Sequence, residues 1–311
     1  KYAIDYWSRA DYETGYIDRH MKNKKAYEWI EKNASAKPAV GVRVYESPDK
    51  LKTMVLPEKA KWGAAVYEVM FSPASKMLSD CSIPTVYSGG GVCSAAFDEN
   101  IKSVPEEELK KGVIIDMRAA AVLSGRGIDV GIAQVGEKVH AECERFESGN
   151  VVNTPGGVDA YNITLKENCT VLSRFLTDKG EEIPAVFVYK NGSGHVFTVL
   201  NFDAYFGNDL IYRSYARSGQ IAHAVELMTG KRLPVYSYGN PDFYIMAKRD
   251  SEGMAVCLFN IFADTAENPV IELDEEYKEA EFFGCTGKIL GRCVILSDIA
   301  PFAFAGIELK K

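Results

Sequence analysis

The feature that most constrains this chain is a change of rhythm in its apolar pattern. Between about residues 39 and 125, short apolar runs alternate with helix signals. Between about 130 and 200, and again from 236 onward, most such runs follow one another with only Gly, Asn and Asp turns between them. Strands that alternate with helices build a largely parallel sheet covered on both faces, whereas strands joined by tight turns build antiparallel sheets. A chain holding both rhythms reads as α/β plus all-β, and 311 residues are too many for one ordinary core.

The local signals place the elements. Residues 21–34 set Tyr27, Trp29 and Ile30 against Lys and Glu in an amphipathic helical pattern, which Pro38 closes. The run from Ala39 to Tyr45 reads as one buried strand. Ser72-Pro73 is an N-cap followed by proline at the first helical position, predicting a helix through about Ser79. A short strand is expected over 83–87, and Pro105 followed by three glutamates opens another helix with acids where its dipole favours them. Residues 112–116 form a strand running into a helix over 117–124, with Asp116 as its N-cap and Gly125 as its stop. The β rhythm predicts strands over 139–146, 160–165, 170–175, 185–189 and 195–200, and a helix over about 212–228 closed by Gly230. Six further short strands from 243 to 308 fit a small sandwich. The expected units are a segment over 1–36, an α/β domain with inserted β strands over 37–235, and a β-sandwich over 236–311.

Charge and cysteine usage narrow the function classes. The net charge of −7 is spread in small mixed patches, which argues against a nucleic-acid or anionic-membrane footprint. No apolar stretch approaches the roughly 20 residues of a membrane helix, and the opening residues lack the regions of a signal peptide. The 7 cysteines form no CxxC pair, and an odd count without a secretory signal predicts reduced thiols in the cytoplasm. The 4 histidines form no pair at metal-ligand spacing, so neither a metal nor another cofactor is expected.

Three stretches could carry chemistry. Gly89-Gly90-Gly91-Val92-Cys93 places a cysteine in a glycine-rich turn after a strand, as in a nucleophile elbow. That reading needs a His and an acid at Cys93. His195 falls inside a strand pattern, and His140 and Glu142 share one strand face, so the competing reading is a loop or core thiol. The triple glycine lacks both the GxGxxG spacing and the Lys-Ser/Thr of a phosphate-binding loop, and reads as a flexible loop. The opening segment holds Asp5, Tyr6, Trp7, Asp11, Glu13, Asp18 and His20. A short strand, an aromatic-rich polar loop and a helix are the βα grammar of a barrel enzyme's rim. Aromatic faces stack on pyranose rings while carboxylates and imidazole bond their hydroxyls. The plainer alternative is core aromatics beside a solvated loop.

Asp5-Tyr6-Trp7-Ser8, with the acid-rich loop to Asp18-Arg19-His20, resembles the end of the catalytic barrel in the family 42 β-galactosidases. There an aromatic-Trp strand end precedes a Glu-x-x-His motif that helps hold the galactosyl ring. Residues 111–127 look like a segment of that family's α/β domain, which has a class I glutamine amidotransferase-like fold and serves for trimerisation. Residues 184–199 resemble the hairpin before that domain's last helix, and 241–250 with 255–264 resemble the closing β-sandwich. The resemblance implies a TIM-barrel tail over 1–36, then a flavodoxin-like (class I glutamine amidotransferase-like) parallel-sheet domain, then a small antiparallel β-sandwich. It implies substrate contacts from Tyr6, Trp7, Glu13, Asp18 and His20, a β-galactoside-like carbohydrate bound through the parent enzyme, and a homo-oligomer, of which a trimer is one form. Ile17, not Glu, stands three residues before His20, so Glu13 or Asp18 would serve in that Glu's place. The family's two catalytic glutamates would lie before Lys1, leaving this chain non-catalytic. Two rival readings are a stand-alone thiol hydrolase or amidotransferase-like enzyme using Cys93, and a non-enzymatic carbohydrate-binding or assembly module.

Overall fold

The computed structural model describes Asp18 and residues 21–47, 72–204, 214–239 and 243–311. After helix α1 (Lys24–Asn33), the apolar run from Ala39 to Tyr45 does not form one strand. Gly41 sits at φ +155°, and a Cβ there would stand 2.1 Å from the Pro84 carbonyl oxygen. Only glycine lets the backbone pass so close. The run therefore splits into β1 (Ala39–Val40) and β2 (Val42–Val44), which join different sheets.

The next elements follow their caps. In α2 (Pro73–Asp80), Ser72 Oγ accepts the Ser75 N–H at 3.3 Å. Then come β3 (Thr85–Val86), β4 (Ser94–Ala95), a 3₁₀ turn over Asp98–Ser103, α3 (Glu106–Lys111), β5 (Val113–Asp116) and α4 (Met117–Gly125). Four long strands succeed them: β6 (Ile132–Phe146), β7 (Val151–Leu165), β8 (Thr170–Thr177) and β9 (Glu182–Lys190). Strand β10 (Val196–Leu200) returns to the parallel set, and α5 (Arg217–Thr229) ends at Gly230 in the left-handed conformation, φ +67°.

These strands form one nine-stranded sheet in the order β3-β2-β4-β5-β10-β9-β8-β6-β7. Pairing is parallel from β3 to β10 and antiparallel from β10 to β7. The expected parallel pairing is thus one part of a mixed sheet. The parallel strands span 2 to 5 residues, whereas β6 and β7 run to 15 each. The described chain is mostly β, with this sheet curled as a half barrel beside further antiparallel sheets. A hairpin extends pairing along both of its strands from a single tight turn, whereas each parallel strand needs a crossover to bring it back. Alternate residues fill two cores: Ile114, Val186 and Leu200 face Leu78 and Val225, while Ile115, Phe187 and Val199 face Leu123 and Ile101.

The remaining strands are β11 (Val235–Tyr238), β12 (Phe243–Arg249), β13 (Gly253–Asn260), β14 (Val270–Leu273), β15 (Glu279–Phe283), β16 (Gly287–Leu290), β17 (Cys293–Leu296) and β18 (Phe304–Lys310). They form a five-stranded sheet, β1-β12-β13-β18-β15, and a four-stranded one, β11-β14-β17-β16. Phe243, Ile245, Val256 and Ile307 from the first sheet share a core with Ile271 and Leu296 from the second. Helix α1 covers the outer face of the larger sheet. Its Trp29 ring lies 5.7 Å from Phe304 and 6.1 Å from Phe283, and rests over Gly306. Both α1 and β1, which the sequence places before the sandwich, are therefore built onto the C-terminal sheet.

Candidate functional site

The carboxyl ends of the parallel strands are where such sheets hold ligands, above all where the strand order reverses. Here the reversal falls between β2 and β4. Asp116, at the end of β5, is fully buried and accepts three backbone N–H groups: Asp98 at 2.9 Å, Ala119 at 2.9 Å and Ala204 at 3.1 Å. One carboxylate thus ties together the chain leaving β4, the start of α4 and the chain leaving β10. Burial pushes its pKa up to about 6, with the three N–H bonds opposing that rise. The N-cap expected from sequence is present, with two further N–H groups on the same side chain.

Asp98 takes φ +54° at the turn from β4 into the 3₁₀ segment, the backbone place from which a nucleophile elbow presents its side chain. Its carboxylate stands 3.9 Å from Arg118 Nη1, and Arg118 Nε is likewise 3.9 Å from Asp203. Asp203 accepts Lys138 Nζ at 2.8 Å and the Tyr161 hydroxyl at 2.9 Å, and the Lys138 ammonium lies 4.9 Å over the Tyr161 ring. The bond to Asp203 holds the Lys138 ammonium above its ordinary range. Lys138 and Tyr161 belong to the β6–β7 hairpin, so these contacts clip the hairpin onto the sheet's end. Two carboxylates, Asp98 and Asp203, face two cations and a phenol, an arrangement suited to holding strands in place.

Cys93 lies on the other side of the strand from an elbow: it precedes β4 instead of following it. It is 1% exposed, and burial together with the nearby Glu108 carboxylate drives its thiol upward. The adjacent Ser94 hydroxyl donates to Glu108 at 2.9 Å. The two described histidines weighed as its partners are engaged elsewhere. His195 meets Glu106 Oε1 at 2.5 Å and the Asn191 amide at 3.2 Å; His140 meets Asp159 at 2.9 Å. The bond to His195 lowers the Glu106 pKa, and the bond to Asp159 raises that of His140. His140 and Glu142 are separated by a register shift between Ala141 and Cys143. Gly91 has a packing reason, since a Cβ there would stand 2.6 Å from the Arg43 nitrogen.

Of the opening set, Tyr6, Trp7, Glu13 and His20 lie outside the described residues, as do Asp5 and Asp11; Asp18 is helical and exposed. Sequence reasoning missed Asp98, Lys138, Tyr161 and Asp203. Lys138 and Asp203 are 65 residues apart and Tyr161 and Asp203 are 42 apart, with no spacing rule to join them. The one available signal was Asp98 just beyond a short strand. Among the described residues no group of three or more His, Cys, Asp or Glu side chains is placed to hold a metal ion. None of their helices is long and apolar enough to cross a membrane.

No family model matches the sequence, and no curated protein does. Solved structures do. The α-L-fucosidase isoenzyme 2 from Paenibacillus thiaminolyticus matches over 92% of this chain and 52% of its own, at 13% identity and a TM-score of 0.52. A cold-adapted β-galactosidase from Rahnella sp. R3 matches over 88% and 41%, at 13% identity and a TM-score of 0.47. A catalytic mutant of a GH42 β-galactosidase from G. stearothermophilus matches over 88% and 40%, at 10% identity and a TM-score of 0.45. The chain spans between 40% and 52% of the length of these three. At such identities the likeness is one of fold, and it rests on the fucosidase. The fold is one that occurs in glycoside hydrolases.

Proposed function

We propose that this chain is the non-catalytic C-terminal portion of a β-galactosidase-like glycoside hydrolase. The observation that carries the reading is the fold likeness that takes in 92% of this chain but only 52% of a fucosidase. On this reading the units would run as an opening barrel tail, an α/β unit and a β-sandwich. The parallel pairing order β3-β2-β4-β5-β10 supports a flavodoxin-like, amidotransferase-like core for the middle unit, with the long antiparallel strands inserted before its last parallel strand. The parent would cleave a β-linked sugar by the two-carboxylate retaining mechanism, with both glutamates outside this chain. Tyr6, Trp7, Glu13, Asp18 and His20 would supply one edge of its sugar pocket. The rest of the chain would act in the cytoplasm as support and as the contact surface of a homotrimer.

The rival thiol-hydrolase reading is disfavoured by the same geometry. Cys93 is buried ahead of its strand, and the elbow position carries Asp98, whose backbone N–H is tied to Asp116. Sedimentation velocity of the chain tests the assembly role. A trimer is expected, and a monomer at every concentration up to the solubility limit would overturn it.

A further inference from the structure

Helix α5, strand β11 and the turn joining β6 to β7 meet around a cavity of about 310 Å³. That volume sits at the lower end of the range that small-ligand sites occupy. Three tyrosines form much of the wall: Tyr215 just before α5, and Tyr236 and Tyr238 on β11, two residues apart and so on one strand face. Tyr215 is 52% exposed and Tyr238 59%. The Tyr238 ring is braced from one side by Gly219 of α5, where even a methyl group would come within 3.4 Å of Cε2. A planar ring is thus held against the helix with its remaining surface open.

Gln220 is committed to Arg217 and Ser173, but several other polar groups here are not. Among the described residues, none of the three phenols has a hydrogen-bond partner, nor has the side-chain amide of Asn150. Burial, reinforced by the Glu272 carboxylate, pushes the Tyr236 hydroxyl up to about 12, so it remains a proton donor. His223 Nε2 stands 3.6 Å from Glu147 Oε2, which offsets the one acid with the one imidazole on the wall. No Lys or Arg is among the described lining residues. Among the described residues an anionic ligand would find no cation, and a cationic one would find an acid already engaged. A neutral ring with an apolar face and a rim of hydroxyls matches this wall: its face covers a tyrosine ring, and its hydroxyls meet phenols, amide and imidazole.

We infer that this cleft between the β6–β7 turn and α5 binds a neutral pyranose sugar. The inference goes beyond the proposed function, since it stands on this cleft alone and not on glutamates upstream. The test is saturation-transfer NMR on the full chain with methyl β-D-galactopyranoside, methyl α-L-fucopyranoside and methyl β-D-glucopyranoside. Binding of at least one is expected, with a dissociation constant on the order of a millimolar. Tyr238→Ala and Tyr215→Ala should each weaken it roughly tenfold, with the thermal midpoint retained. Tyr87→Ala, at an equally exposed tyrosine beside β3, should change nothing. Absence of transfer to all three sugars overturns the proposal. So does binding that survives the Tyr215→Ala/Tyr238→Ala pair, or that Trp7→Ala abolishes while Tyr238→Ala spares it. Turnover of a glycoside by the chain would sink the non-catalytic reading and leave this site standing.

Discussion

Arg217 and Glu144 offer the sharpest test of how the antiparallel wing is fastened. Both side chains are 2% exposed. The guanidinium donates from Nη1 to Glu144 Oε1 at 2.9 Å and from Nη2 to Glu144 Oε2. Nη1 also donates to Gln220 Oε1 at 2.6 Å, and the group sits 5.3 Å over the Phe146 ring. The pair joins the first turn of α5 to the C-terminal end of β6, behind the tyrosine cleft. Arg217→Met removes three donated bonds and leaves a dry carboxylate without its cation, which costs about 3–5 kcal/mol. With a urea slope of about 3 kcal/mol/M, the unfolding midpoint should fall by about 1 M or more. Circular dichroism during a urea titration reads this directly. Arg217→Met/Glu144→Leu should recover to within about 1 kcal/mol of the parent, because no lone charge is then buried. A single variant that unfolds with the parent, or a double variant no better than the single, would refute the reasoning.

Three further outcomes follow from particular contacts. Gly306→Ala would put a Cβ 2.7 Å from the Trp29 ring; overpacking of about 1–3 kcal/mol should lift α1 from the sandwich, seen as a red shift of tryptophan emission and faster proteolysis near Lys24. Asp116 has a folded pKa of about 6, above the ordinary Asp value of about 3.9, so its protonated form is favoured by folding. The stability it contributes is full below pH ~4 and lost as pH rises through about 6, a decline of roughly 3 kcal/mol that Asp116→Asn should flatten. Iodoacetamide should modify the half-buried Cys143 well before Cys93, which reacts only on unfolding; fast labelling of native Cys93 would reopen the thiol-hydrolase reading.

What was legible in the sequence was local. Ser72-Pro73, Asp116 and Gly230 each marked a helix end through a single side chain or backbone conformation, and the structure keeps all three. What escaped depended on partners distant in the chain. The run from Ala39 to Tyr45 is continuous in hydrophobicity, yet Gly41 divides it because Pro84 passes beside it. Strands β6 and β7 are longer than their alternation implies, since register shifts at three places in their pairing break the period of two. Pro155-Gly156-Gly157 reads as a break, but β7 is the last strand of its sheet, where a residue without an N–H is tolerated. Gly157 is also needed there, since a Cβ would stand 2.2 Å from His140 Nε2. The tyrosine cleft joins residues from 146 to 238, which only the packing of α5 on the wing brings together.

Hydrolysis of para-nitrophenyl β-D-galactopyranoside and para-nitrophenyl α-L-fucopyranoside by the purified 311-residue chain tests the central claim most directly. The account predicts nitrophenolate release no faster than in buffer, unchanged by Cys93→Ala or Asp98→Asn. Turnover above that background which either substitution abolishes would contradict it.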